Sequence, residues 1–328
     1  MRAAVRGLLL ALVIVVSGTA SLHYANQERG AEAIAAVAAS AGTGTDGGGH
    51  RFERLDDPPR TVVTTSSGAV LATLTDGSRT VVLTGPVRTF REPRHTQSTI
   101  TTTAWVRLAP QPWSVGAERA DWFAPWLAAV TRDATPDVLA VASQYVAGAP
   151  PLRGSGGLTI AGDAKFAVDA DFNHYLGVAW RFPDGAHEKA DTGHVGALDS
   201  AGLVRMVYGY REGYPLQGRD TTGAGLPRSA KAMDDVGPGT RIVADVPERA
   251  ADYSRLQPGD LLFFASASRP NPRKSRVGIY LGIDDSGHRR VLASRRSADG
   301  PTFGDDGGAS TLDGPGGYGR AFRSAKRL

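Results

Sequence analysis

At 328 residues, 41% of them hydrophobic, the chain is long enough for about two ordinary globular domains. It has no cysteine, which excludes disulfides, thiolate metal sites, a lipid-modified cysteine anchor and a cysteine nucleophile together. Its 37 Lys and Arg against 33 Asp and Glu give a formal net charge of +4. That mild excess, with no basic stripe interleaved with aromatics, argues against nucleic-acid binding and suits loose association with anionic envelope polymers.

Residues 1–21 carry a basic start, MRAAVRG, and then the apolar run LLLALVIVV. These are the proportions of a secretory signal, with small residues from Ser17 to Ala20 at a cleavage point, and an uncleaved anchor is the rival reading. Either way the remainder is expected to be secreted or envelope-associated, touching the membrane through this segment alone. Residues 22–50, rich in Ala, Gly, Ser and Thr and ending AGTGTDGGG, cannot bury enough apolar surface to offset chain entropy and read as a flexible linker.

Residues 51–110 read as a small β-rich module. AVLATLT and SRTVVLTG flank Asp76-Gly77, a two-residue hairpin signal, and STITTTAWVRL (98–108) supplies a further strand. Residues 111–134 read as a helical connector in which Trp122, Phe123, Trp126 and Leu127 cluster at helical spacing. A third unit, 135–328, opens on TPDVLAVASQYVAG, with Pro136 at a helix start. The stretches APPLRGSGGLTIAGDAKF and DFNHYLGVAW follow, and are expected to form a cleft wall.

Within that unit, HVGALDSAGLVRMVYGY (194–210) reads as a helix start and a buried helix face together. Asp199 and Ser200 are good N-cap residues, Leu203, Met206 and Val207 follow at i, i+3, i+4 spacing, and Gly209 is expected to end the helix. A side chain at such a start feels the partial positive charge of unpaired backbone N–H groups.

With GLPRSAKAM (225–233), LQPGDLLFF (256–264) and RVGIYLG (276–282), this stretch resembles the NlpC-type cell-wall peptidases, a papain-like family that cuts peptidoglycan stem peptides. The resemblance covers roughly residues 135–328. It implies an α+β fold, a papain-like NlpC-type domain with a helix packed on an antiparallel sheet, here preceded by the small β-rich module. It implies no cofactor and no metal, and peptidoglycan or an envelope protein as partner.

In that family the helix start reads Asp-Cys-Ser-Gly, whereas here it reads Asp199, Ser200, Ala201, Gly202, so the nucleophile position carries a hydroxyl. The family's general base, a histidine opening the strand His-Val-Gly-Ile-Tyr-Leu-Gly, falls on Arg276. The third polar residue, which orients that histidine, falls on Leu292 or Ala293 of RRVLAS. Arg228 and Ser229 match the arginine and serine that help shape the family's cleft, and Asp199 is kept.

These replacements bear directly on chemistry. A serine hydroxyl needs a base to take its proton during attack. Arginine, with a pKa above about 12, carries only donors and cannot be that base. No G-x-S-x-G elbow surrounds any serine. His288 reads as a turn residue, and His174 and His194 as structural or surface groups, although His194 is close enough in sequence to approach Ser200.

The expectation is a catalytically inactive pseudopeptidase that keeps its groove. An active hydrolase using Ser200 with a substitute base is one alternative. A structural or adhesion module, its cleft filled by side chains such as Arg276, is the other. The tail beyond 295 is glycine-rich and then basic, with Asp305 and Asp306 read as a solvated turn and Arg320, Arg323, Lys326 and Arg327 as an exposed face.

Overall fold

A computed structural model describes residues 43–45, 49–265, 274–304 and 310–328. The expected signal segment, most of the expected linker, and Asp305 and Asp306 lie outside the described residues. The architecture is mixed α+β: two six-stranded antiparallel sheets with a few short helices. Among the described residues no helix is long and apolar enough to cross a membrane.

The first sheet is a meander of β1 (Thr43–Thr45), β2 (Arg51–Leu55), β3 (Arg60–Thr64), β4 (Val70–Thr75), β5 (Thr80–Phe90) and β6 (Ile100–Leu108) in sequential order. β1 pairs with β2 and so begins inside the stretch read as linker. The β4–β5 connection also departs from the expected two-residue turn, because residues 76–79 all lie outside the strands. Tertiary contacts hold this wider turn: Gly77 N donates to Trp113 O at 2.8 Å, Arg54 grips Asp76, and Ser78 and Thr80 both reach the carbonyl of Leu328.

Val63, Ala72, Leu74, Val81 and Leu83 fill one face of the sheet and pack on Trp113 and on Phe123 and Leu127 of α1 (Phe123–Val130). The connector helix therefore completes the module's core. Phe90, Ile100 and Val106 belong instead to the large core of the remainder, so the two parts share apolar packing.

The helix α2 (Val138–Ser143) is capped by Asp137. This buried carboxylate accepts from Ala140 N at 3.0 Å and Val106 N at 2.6 Å, and takes both terminal nitrogens of Arg88 at 2.6 Å. One acid thus fixes a helix start to two strands, leaving Pro136 just outside the helix. Two small ribbons, β7 (Leu152–Arg153) with β8 (Thr159–Ala161) and β9 (Trp180–Arg181) with β10 (His187–Glu188), lie on either side of α3 (Phe172–Leu176) in the chain.

Then come α4 (Ser200–Val204), which continues as a π-helical stretch over Arg205–Arg211, and α5 (Ala230–Asp235). Gly209 does not end this helix as expected. A Cβ there would overlap the Leu216 side chain, so the glycine serves a close approach, and the turn comes at Gly213 with φ 73°.

The second sheet runs in the order β11 (Thr240–Val243), β16 (Phe322–Arg327), β12 (Leu261–Ala265), β13 (Lys274–Ile283), β14 (Arg289–Arg295), β15 (Gly300–Thr302), with α6 (Gly317–Ala321) just before β16. Period-2 alternation decides its faces. Phe263, Val277, Ile279 and Leu292 pack toward Leu203, Val204 and Val207, whereas Leu262, Phe264, Tyr280 and Val291 pack toward Tyr318 and Phe322.

The C-terminal residues are corrected most sharply, because β16 is an interior strand. Lys326 and Arg327 are buried, and only Arg320 of the four cations is exposed. The buried charges are matched by partners from distant parts of the chain. Lys326 Nζ donates to Met233 O at 3.0 Å and Gly237 O at 2.7 Å. Arg327 meets Asp260 at 2.7 and 2.8 Å and Thr75 Oγ1 at 2.6 Å. Burial holds the Asp260 carboxyl above its ordinary range, an effect that Arg327 offsets only in part. Removing one member of a buried pair strands the other. Arg327→Ala is expected to lose about 3–5 kcal/mol in urea unfolding, and Asp260→Asn with Arg327→Met to recover most of it.

Candidate functional site

The Ser200 helix is seated by its own entry. Leu198 N donates to Lys165 O and Asp199 N to Ala170 O, both at 2.8 Å. Asp199 is the N-cap: one carboxylate oxygen accepts from Gly202 N at 2.6 Å and the other from Arg228 Nη2 at 2.7 Å. A Cβ on Gly202 would overlap the carbonyl oxygen of Ala170, so only glycine allows the helix this close to the 170–171 backbone.

Arg205, one turn on, is fully buried and donates Nε to both Asp171 oxygens at 3.0 Å. Its Nη1 reaches Gln217 O and Leu226 O at 2.7 Å, and its guanidinium lies 5.6 and 5.1 Å from the Phe172 and Phe182 ring centres. Arg228 joins the group at 3.7 Å from Asp171. Burial alone would depress Arg228, but Asp171 and Asp199 more than offset it and hold the guanidinium above its ordinary value. Asp199 and Arg228 thus fix the helix start through a balanced set of two acids and two arginines. Ser229 caps α5, its Oγ accepting from Ala232 N at 3.2 Å.

Ser200, 6% exposed, opens onto a cleft of about 600 Å³. Phe166, Val168 and Asp169 of the segment before the helix line one side. Ser229, Ser275, Arg276, Ser294, Arg295 and Tyr318 line much of the rest. The structure therefore brings Asp199, Ser200, Ser229 and Arg276 to one cavity, with Arg228 behind it.

Ser200 Oγ accepts one long bond, 3.4 Å, from the backbone N of Val277. Among the described residues it has no bond to a histidine or a carboxylate. The Arg276 side chain turns along the cleft: Nη2 donates to Ala265 O at 3.1 Å and the guanidinium sits 5.4 Å from the Tyr318 ring centre. Arg276 has no carboxylate within ion-pair distance among the described residues.

The third position behaves as a core position. Leu292, opposite Ile279, is fully buried on the helix side of the sheet, and Ala293 is buried on the other side. Neither lines the cleft. The polar residue that this strand gives the cleft is Ser294, whose Oγ donates to Leu198 O at 2.6 Å and ties β14 to the helix entry.

The candidate histidines lie elsewhere. His194 Nδ1 is 2.6 Å from Asp191, and its ring stacks on His174 with centres 6.1 Å apart. His288 sits 3.5 Å from Asp313 in the β13–β14 turn. None of the three lines the cleft.

Cleft groups absent from the sequence reading include Tyr318, Arg295 and Arg296. Tyr318 is 2% exposed, and its hydroxyl has no hydrogen-bond partner among the described residues. Burial pushes this phenol up, which keeps it a neutral donor. Arg295 donates to Ser310 Oγ at 2.6 Å and Gly304 O at 2.7 Å, with its guanidinium 5.5 Å from the Tyr318 ring centre. The available signal was a tyrosine in the glycine-rich GGYG run, two residues after an apparent loop.

No protein-family model matches the chain, and no curated protein matches it. Among solved structures, the chain is similar to one described as similar to a lipoprotein of the NLP/P60 family, from Staphylococcus aureus subsp. aureus Mu50. The two are 16% identical, with a TM-score of 0.28 over 66% of this chain and 54% of that one. The chain thus matches about half the length of that structure. So loose a superposition fixes no residue-by-residue correspondence.

The seating of the helix is directly testable. Gly202→Ala drives a methyl into backbone and is expected to cost about 1–3 kcal/mol, whereas Gly209→Ala meets a movable leucine side chain and costs less. Urea unfolding of both variants measures the difference.

Proposed function

We propose that this chain is an exported cell-envelope protein on an NlpC-type scaffold, a pseudopeptidase whose cleft holds peptidoglycan stem peptides without cutting them. The observation that carries the reading is Ser200 Oγ, hydrogen-bonded among the described residues to the Val277 amide alone, with a guanidinium side chain at the position where the resemblance expects a base. A hydroxyl with no acceptor for its proton is a poor nucleophile at neutral pH. The four motif segments in the family's order support the scaffold, and the signal-like first 21 residues support export.

Binding rests on what the cleft offers. Arg276 does not fill it, because its side chain lies along Tyr318 and about 600 Å³ stays open. Arg276 and Arg296 face this space with no ion-pair partner among the described residues, and the buried Tyr318 hydroxyl adds an unused donor. Such a set suits a peptide carrying free carboxylates, and charge-assisted bonds from arginine are the strong ones.

Titration calorimetry of the full chain with purified stem-peptide fragments, followed by mass spectrometry of the mixture, separates the possibilities. Binding without new peptide ends is expected, weakened about tenfold or more by Arg276→Ala, since a hydrogen bond to a charged group contributes about 1.5–3 kcal/mol. New peptide ends that disappear in Ser200→Ala would overturn the inactive reading, and absence of binding would overturn the ligand.

A further inference from the structure

A second set of chemically competent side chains lies outside the cleft, where α3 meets the turn that leads into the Ser200 helix. We propose that His174, Asp191 and His194 form a binding site for a divalent transition-metal ion of the zinc type.

Each of the three residues offers one ligand atom, and these atoms all lie within 4.8 Å of one another. Around a tetrahedral ion with bonds of about 2.0–2.1 Å, ligand atoms stand about 3.3 Å apart. Small rotations of side chains that are only half buried close that gap. Two imidazoles and a carboxylate leave a fourth position for water, and the donor set suits zinc, cobalt or nickel better than calcium or magnesium.

The local fold places these donors by separate means. His174 is the third residue of α3, whose N-cap Asp171 is locked by the buried Arg205. Asp191 caps the turn Thr192–His194, one oxygen accepting from Gly193 N at 2.9 Å, while its other oxygen faces His194 Nδ1 at 2.6 Å. Ligation by His194 through Nδ1 puts the ion between that atom and the carboxylate it now faces, with the imidazole proton on Nε2. Ligation by His174 through Nε2 puts its proton on Nδ1 and gives up the 3.3 Å contact from Asp171 N, the longest in that cap.

Charge favours the same occupant. Among the described residues Asp191 has no lysine or arginine partner. With both imidazoles neutral the site carries a net negative charge that a divalent cation would offset. Occupancy would join α3 to the segment entering the Ser200 helix, through residues that do not line the cleft. The site is independent of what the cleft does.

The test uses the full chain, stripped with chelator and dialysed against Zn2+ and, separately, Co2+. The expected result is one ion per chain, with Co2+ giving the visible absorption of a tetrahedral N/O site. His174→Ala and His194→Ala should each weaken uptake at least about tenfold, and the isosteric Asp191→Asn should do so without disturbing the fold. His288→Ala should leave uptake unchanged. No uptake by the unmodified chain, or equal uptake by all the variants, would overturn the site.

Discussion

The architecture around the cleft depends on one close approach: the first turn of the Ser200 helix presses onto the backbone at Ala170 and Asp171. Gly202 makes it sterically possible, and the buried Asp171–Arg205 pair makes it electrostatically acceptable. A buried ion pair gives little net stability by itself, but losing one partner leaves a charge stranded in the interior. The pair therefore specifies position more than it adds strength. Arg228 extends it to Asp199, so the residue that caps the helix and the residue that anchors it share one network.

A similar device closes the molecule at its other end. Asp260, at the start of an entirely buried strand, is met by Arg327 from the penultimate position of the chain, and Arg327 also reaches Thr75 of the first sheet. The Leu328 carbonyl accepts from Thr80 N and Ser78. The C-terminus is thus a structural joint between the two sheets. Together with the shared apolar cluster around Phe90, Ile100 and Val106, it packs the β meander against the cleft-bearing part.

What the sequence made legible was whatever local chemistry decides. The alternation in 70–75 and 80–83, the Asp199 cap, the apolar run 261–264 and the 277–282 strand all appear where their patterns indicate. What it hid was whatever distant partners decide. Lys326 and Arg327 read as solvent-facing because their acceptors, Met233, Gly237 and Asp260, lie far away in sequence. Gly209 read as a helix stop because nothing local announces the packing of Leu216 against it. At the site, Ser200 and Arg276, singled out by motif spacing, line one cleft, whereas Tyr318 and Arg295 come from a short helix and a strand end that only the fold brings together.

The cleft is defined by a mismatch between position and chemistry. Ser200 occupies a helix start beside an open cavity, where a nucleophile would be favoured, yet among the described residues its hydroxyl meets only a backbone amide, and the nearby cationic side chain of Arg276 carries no lone pair for a proton. Guanidinium groups, and a phenol with no hydrogen-bond partner among the described residues, suit capture of an anionic ligand, which is the reading proposed above. The most direct measurement is exposure of the full chain to a fluorophosphonate, which reacts covalently with activated serines, followed by intact-mass analysis and peptide mapping. The account predicts an unchanged mass. A one-to-one adduct on Ser200 would reveal a base that activates the hydroxyl and would contradict it.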